Sequence, residues 1–188
     1  LVVYAAHAFA VTPLTDDTGT IESLLESITT DIAPVQGSRP STALAKAREL
    51  LEQGASGRGA VLLISDGYDD PDATTAASAL AAAGIPLHVL AVGTEGGAPV
   101  PVEGSGFLTD RAGNMVVPKL MSDALAELAR DRGGRFSLIT PDDRDLDHLF
   151  STASVPAATF RDVVSPGADL WREEGPWLLL IAIPLAAL

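Results

Sequence analysis

The sequence predicts an α/β protein: a mostly parallel sheet flanked by helices. Apolar runs of strand length recur along the chain, as AVLLIS (60–65), IPLHVLAVG (85–93) and RFSLIT (135–140). Helical segments lie between them, and strands that alternate with helices form parallel sheets with helices on their faces. The first of these runs ends in carboxylates, as VLLISDGYDD (61–70). A buried strand needs no Asp at its tip, whereas open parallel sheets bind ligands at the carboxyl ends of their strands.

The elements follow in order. LVVYAAHAFAV (1–11) reads as one or two strands with a bend near Ala5 to His7. A helix follows, capped by Thr18 or Thr20, with Ile21, Leu24, Leu25 and Ile28 on one face. Gly37 and Pro40 break the chain into a loop over 31–41. TALAKARELLEQ (42–53) is the second helix. After the strand at 60–65, Asp70 is placed to cap a helix whose first turn holds Pro71, and Gly84 ends it. The strand 85–93 leads into EGGAPVPVEGSGFLTDRAGNMVVPKL (95–120), a hairpin with its tip at Ala112 to Asn114. SDALAELARDRGG (122–134) is a helix with Ser122 as cap and Gly133 as terminator. The strand 135–140 and a last amphipathic helix, 141–154, complete a domain over residues 1–154. Residues 155–175 read as a polar linker.

The final run, PWLLLIAIPLAAL (176–188), is apolar throughout. A membrane span needs roughly 20 such residues. The run therefore reads as the start of a transmembrane helix, with Trp171 and Trp177 as interfacial aromatics. The alternative is a short buried terminal helix.

Charge and composition exclude several functions. The formal charge is −13, which argues against nucleic acid and anionic membrane surfaces as direct partners. There is no cysteine, so disulfides, CxxC redox chemistry and thiolate metal sites are out. His7, His88 and His148 lie far apart and show no metal-ligand spacing. His88 reads as a packed strand residue.

Asp66 is the carboxylate nearest the buried strand, and Gly67 lets the backbone turn away behind it. Clustered oxygen donors suit hard cations such as Mg²⁺ and Ca²⁺. Asp69 and Asp70 read better as helix-start residues, where acidic side chains are favoured. Ser38, Ser41 and Thr42 precede a helix and either ligate a cation or cap the helix; on composition alone the cap reading wins. GTEGG (93–97) is neither a P-loop nor GxGxxG and carries little weight as a phosphate site.

The motifs FAVTPLTDD (9–17), PVQGS (34–38), LLISDGYDD (62–70), LAVGTEGGAPVPV (90–102), GFLTDRAGNMVV (106–117) and GGRF (133–136) occur in this order. In order and spacing the chain resembles a von Willebrand factor A domain of the Bat (aerotolerance) type, BatB-like in particular. The resemblance implies a Rossmann-like sheet and a metal-ion-dependent adhesion site, normally holding Mg²⁺. In that site a partner's carboxylate fills an open coordination position. Ser38 matches the family's loop hydroxyl, a Thr in its usual form, and Asp66 matches the Asp of its T-D-G turn. The third element, D-x-S-x-S after a central first strand, has no counterpart in the sequence. The resemblance therefore implies a gap beside the strand at 60–65 and an incomplete cation site. It further implies a bacterial inner-membrane protein whose domain faces the cytoplasm and works with MoxR-type ATPases and other Bat proteins.

The function expected is a non-enzymatic, membrane-anchored module binding a protein partner through a divalent cation. One alternative is a metal-dependent hydrolase using Asp66, Asp69 and Asp70. It would need a general acid or base beside the ion, and no His, Lys or Glu is placed to serve. The other is a scaffold that binds no metal.

Overall fold

A computed structural model of the chain describes residues 1–29, 32–54, 59–102, 106–130 and 133–151. The linker at 155–175 and the apolar run at 176–188 lie outside the described residues, as does the end of the helix expected over 141–154. Among the described residues no helix is long and apolar enough to cross a membrane.

Two short strands open the chain, β1 (Val2–Tyr4) and β2 (Ala8–Ala10), paired antiparallel with Val3 opposite Phe9. The bend expected near Ala5 to His7 is the turn between them. Helix α1 (Thr18–Leu25) follows. Its cap is Asp17 rather than Thr18 or Thr20: the Asp17 carboxylate accepts the Thr20 backbone N–H at 3.0 Å and the Thr20 hydroxyl at 2.6 Å. Ile21, Leu24 and Ile28 are only half-buried and Leu25 is exposed, so the apolar stripe read from the sequence finds no core.

Helix α2 (Pro40–Gly54) begins at a proline, whose fixed φ and missing N–H suit a first helical position. Strand β3 (Val61–Ser65), helix α3 (Ala73–Ala82) and strand β4 (Leu87–Ala91) form a right-sized β–α–β unit, with β3 and β4 parallel and Leu63 opposite Val89. Helix α4 (Ser122–Arg130) leads to β5 (Phe136–Leu138), which adds parallel to β4. Helix α5 (Arg144–Phe150) closes the described chain. The sheet order is β3–β4–β5, and β1–β2 stands as a separate sheet.

The core follows from side-chain alternation. Leu87, Val89 and Ala91 of β4 point one way and meet Leu44 and Leu51 of α2, Ala77 and Leu80 of α3, and Leu125 and Leu128 of α4. His88 points the other way and meets Phe150 of α5 edge-on. Every residue of β4 is buried, as a central strand covered on both faces requires. β3 is different. Ile64 is 55% exposed, and among the described residues β3 has a hydrogen-bonded neighbour strand on one side only.

Between the free edges of β1 and β3 lies a groove of about 750 Å³, floored by Leu44 and Leu51 of α2. This is the gap expected beside the strand at 60–65. The carboxyl ends of the two strands are tied across it, where the Tyr4 hydroxyl donates to Ser65 Oγ at 3.1 Å.

Candidate metal centre at the carboxyl end of β3

The candidate site is built where β3 stops. Ser65 is buried and Asp66, the next residue, is exposed. The chain then turns at Gly67, with φ at +153°. A Cβ at that position would lie 2.8 Å from Met121 Cγ, so the turn requires glycine both for its backbone conformation and for space.

That turn is held by hydroxyls. Ser65 Oγ accepts the Gly67 N–H at 3.3 Å and donates to the Gly67 carbonyl at 2.9 Å. Ser38 Oγ, arriving from the loop before α2, donates to the same carbonyl at 3.2 Å. The fold thus brings Ser38 and Asp66, 28 positions apart in sequence, to one end of the groove, whose wall both of them line. Tyr4 completes the cluster. Burial pushes its phenol above the ordinary value and the hydrogen bond with Ser65 opposes that. The Asp66 charge pushes it up again and Ser38 opposes. The Asp66 carboxylate is therefore close enough for Tyr4 to feel it.

The other two acidic residues have separate fates. Asp69 is exposed. Asp70 is buried, and its oxygens are engaged by backbone N–H groups: Ser41 N–H at 2.8 Å and Asp72 N–H at 3.1 Å. Asp70 thus does not cap its own helix. α3 begins at Ala73, three positions later, and its N-cap is Asp72, which makes no side-chain capping bond. Asp70 instead satisfies an orphan N–H in the first turn of α2 and locks the starts of α2 and α3 together. Burial raises its carboxyl, but the Ser41 and Asp72 donors and the Arg39 charge outweigh burial and hold it below the ordinary carboxylate value.

The remaining sequence candidates lie elsewhere. Ser41 and Thr42 lie inside the first turn of α2 rather than before it: Ser41 is buried and gives its N–H to Asp70, and Thr42 Oγ1 donates to Arg39 O at 2.9 Å, so the capping expected of them is supplied by Asp70 instead. His88 is 2% exposed and its Nδ1 accepts the Arg135 N–H at 3.2 Å. His7 and His148 are exposed. Tyr4 and Ser65 are the site residues that sequence reasoning missed. No local pattern marks Tyr4, because its partner lies 61 positions away.

The donors at the mouth are all hard oxygens: the Asp66 carboxylate, the Ser38, Ser65 and Tyr4 hydroxyls, and the Gly67 carbonyl. They fit a hard, largely hydrated cation rather than a soft one. They supply one formal charge. Among the described residues, no group of three or more His, Asp and Glu side chains could hold a metal ion. A Mg²⁺ here would keep several of its waters.

A parallel sheet with a hydroxyl loop and an Asp–Gly turn at its carboxyl end defines a class, and the comparison with known families agrees. Residues 1–152 match the von Willebrand factor type A domain, and the chain belongs to that family. Among solved structures it is similar to the conserved hypothetical protein BatB from Bacteroides thetaiotaomicron. There the identity is 30% and the TM-score 0.72, covering 87% of this chain and 77% of that one. It is also similar to an aerotolerance-related membrane protein from Bacteroides fragilis NCTC 9343. That match has 29% identity and a TM-score of 0.73, covering 79% of this chain and 74% of that one. Among curated proteins, none matches.

Proposed function

We propose that this chain is a BatB-like, non-enzymatic binding module that holds a hydrated divalent cation, Mg²⁺ by preference, between itself and a carboxylate on a protein partner. Asp66 supplies the charge and Ser38 an oxygen, directly or through water. The observation that carries this reading is the convergence of Ser38 on the Gly67 carbonyl, beside an exposed Asp66 at the end of a core strand. A cation so placed keeps exchangeable positions, which is what a bridging ion needs. The engagement of Asp70 by two backbone donors leaves the hydrolase reading without its three-carboxylate cage. We place the domain over residues 1–154, with a linker at 155–175 and a membrane-inserted segment starting at 176. A bacterial inner-membrane location with the domain in the cytoplasm, in a complex of the Bat and MoxR type, fits the similarity to an aerotolerance-related membrane protein.

The test is a calorimetric titration of the chain with MgCl₂. The expected result is binding in about the millimolar range, as for weakly charged oxygen sites, lost in Asp66→Ala and weakened in Ser38→Ala. Equal binding by Asp66→Ala would refute the reading. A second reading, a scaffold without metal, is favoured by one observation: the Ser38 and Ser65 hydroxyls are already satisfied by the Gly67 carbonyl. It predicts no Mg²⁺ heat in any variant.

A further inference from the structure

Helix α5 is fastened to the sheet along its length. At its start, the buried Asp145 carboxylate accepts the Thr140 N–H at 3.0 Å, which ties the helix to the chain leaving β5. At its end, the Arg135 guanidinium donates to the His148 carbonyl at 2.8 Å, and to the carbonyl and hydroxyl of Ser151 at 3.0 and 2.6 Å. Carbonyls in a last helical turn have no partner within the helix, so this clamp supplies one. Beside it Leu149 is buried, and the Phe150 ring stands against the His88 imidazole with centroids 6.1 Å apart.

The clamp and the imidazole are one unit. Arg135 N–H donates to His88 Nδ1 at 3.2 Å, and Arg135 O accepts the Val89 N–H at 2.8 Å. Gly134 makes that approach possible, because a Cβ there would lie 1.7 Å from Leu87 O. The second glycine of GGRF (133–136) thus brings residue 135 within reach of the ring. With Nδ1 accepting, the neutral imidazole carries its proton on Nε2. A proton added at Nδ1 would leave two N–H groups facing each other. It would also place a second positive charge beside Arg135, at a position only 2% exposed.

Little around the ring could offset that charge. β3 sets Leu62 opposite His88 and has no titratable side chain. β5 is entered through Arg135. On α5, Asp145 is turned to Thr140, while Arg144, Asp147 and His148 are exposed. α4 packs on the other face of β4, and its Arg130 lies over the Phe136 ring.

We propose that His88, Arg135 and α5 form an acid-operated latch. Protonation of His88 Nδ1 removes the acceptor of the Arg135 N–H, displaces the Arg135 clamp and lifts the end of α5 from the sheet, while α3, α4 and the β3–β4 pair hold. Burial, and then the Arg135 charge, keep the imidazole below its ordinary value in the closed form, and lifting α5 returns the ring to water. The latch is therefore at full strength above about 6.5 and weakens as pH falls through that value towards the depressed one. Asp145 lies below the ordinary carboxylate value, first through the Thr140 N–H, and stays charged in this window. The helix thus swings out about its amino end. The latch does not rest on the cation reading.

The test is amide hydrogen exchange of the full chain in EDTA, read by mass spectrometry on peptides over 144–151 and 73–82 and corrected for the intrinsic rate at each pH. From pH 7.5 to 5.5 the protection of 144–151 should fall about threefold or more. It should stay below that of 73–82 at both values, because the opening is local. His88→Gln keeps an oxygen for the Arg135 N–H and takes no proton, so its α5 protection should not change with pH. His148→Gln, an exposed change on α5, should respond as the unaltered chain does. A pH-independent α5 in the unaltered chain overturns the latch. So does a response that His148→Gln abolishes or that His88→Gln retains. Equal protection of the two peptides would make the opening global and overturns it as well. Should His88→Gln fail to fold, the pH series and His148→Gln decide.

Discussion

His88 shows how one residue ties the back of the sheet to acidity. Its imidazole is buried on β4, accepts the Arg135 N–H and meets the Phe150 ring. Burial, and then the Arg135 charge, hold its pKa below the ordinary value. The folded state therefore binds fewer protons than the unfolded one near neutrality. Stability is complete above the unfolded value of about 6.5 and falls as pH drops through that value towards the depressed folded one. Stability should therefore fall between pH 7.5 and 5.5, by an amount that measures how far the folded-state pKa is depressed. His88→Gln should flatten that part of the curve, read by thermal melts followed by circular dichroism. A wild-type and variant profile of the same slope would show that His88 does not govern it. None of this geometry was legible in the sequence, which placed His88 on a strand but could not show which face met Arg135. The same holds for Tyr4 and Asp70. A hydroxyl or carboxylate whose partner is tens of positions away leaves no local trace.

At the level of elements, periodicity located what lies inside and misjudged what lies outside. The strands, and the helices that pack on them, appear within a few positions of the sequence reading, because burial imposes apolar spacing on them. α3 starts late because Asp70 is turned towards α2. α1 carries a helical stripe and yet has no buried residue. The two helices should therefore respond differently to truncation. Leu80→Ala in α3 removes a fully buried side chain and should cost about 2–5 kcal/mol, measured by urea unfolding. Leu25→Ala in α1, half exposed, should stay within about 1 kcal/mol. Similar losses at both sites would mean that α1 packs more firmly than its exposure indicates.

Across the whole molecule, the organisation is two sheets separated by a groove, with donor oxygens at one end of the groove and the segment between β4 and α4 beside them. The family resemblance implied a gap beside the strand at 60–65, and it pointed to Ser38 and Asp66 as candidates. It did not show that their hydroxyl and turn would share one carbonyl, because that depends on how α2 and β3 meet in space. The segment between β4 and α4 was legible as a hairpin from its turn residues, but its exposed apolar side chains, Phe107 and Met115 among them, were not, since alternation alone does not say whether a face is covered.

The groove also bears on how the chain should behave in concentrated solution. Among the described residues, β1 and β3 each leave one edge unpaired and β3 carries an exposed isoleucine, an arrangement on which a strand of a neighbouring molecule can assemble. Light scattering should rise with protein concentration and time, and Ile64→Lys should suppress that rise by placing a charge on the edge. Equal scattering by the variant would move the origin of self-assembly away from β3. At Ile64, whose side chain stays outside the core, a single substitution is thus expected to change shelf life more than folding.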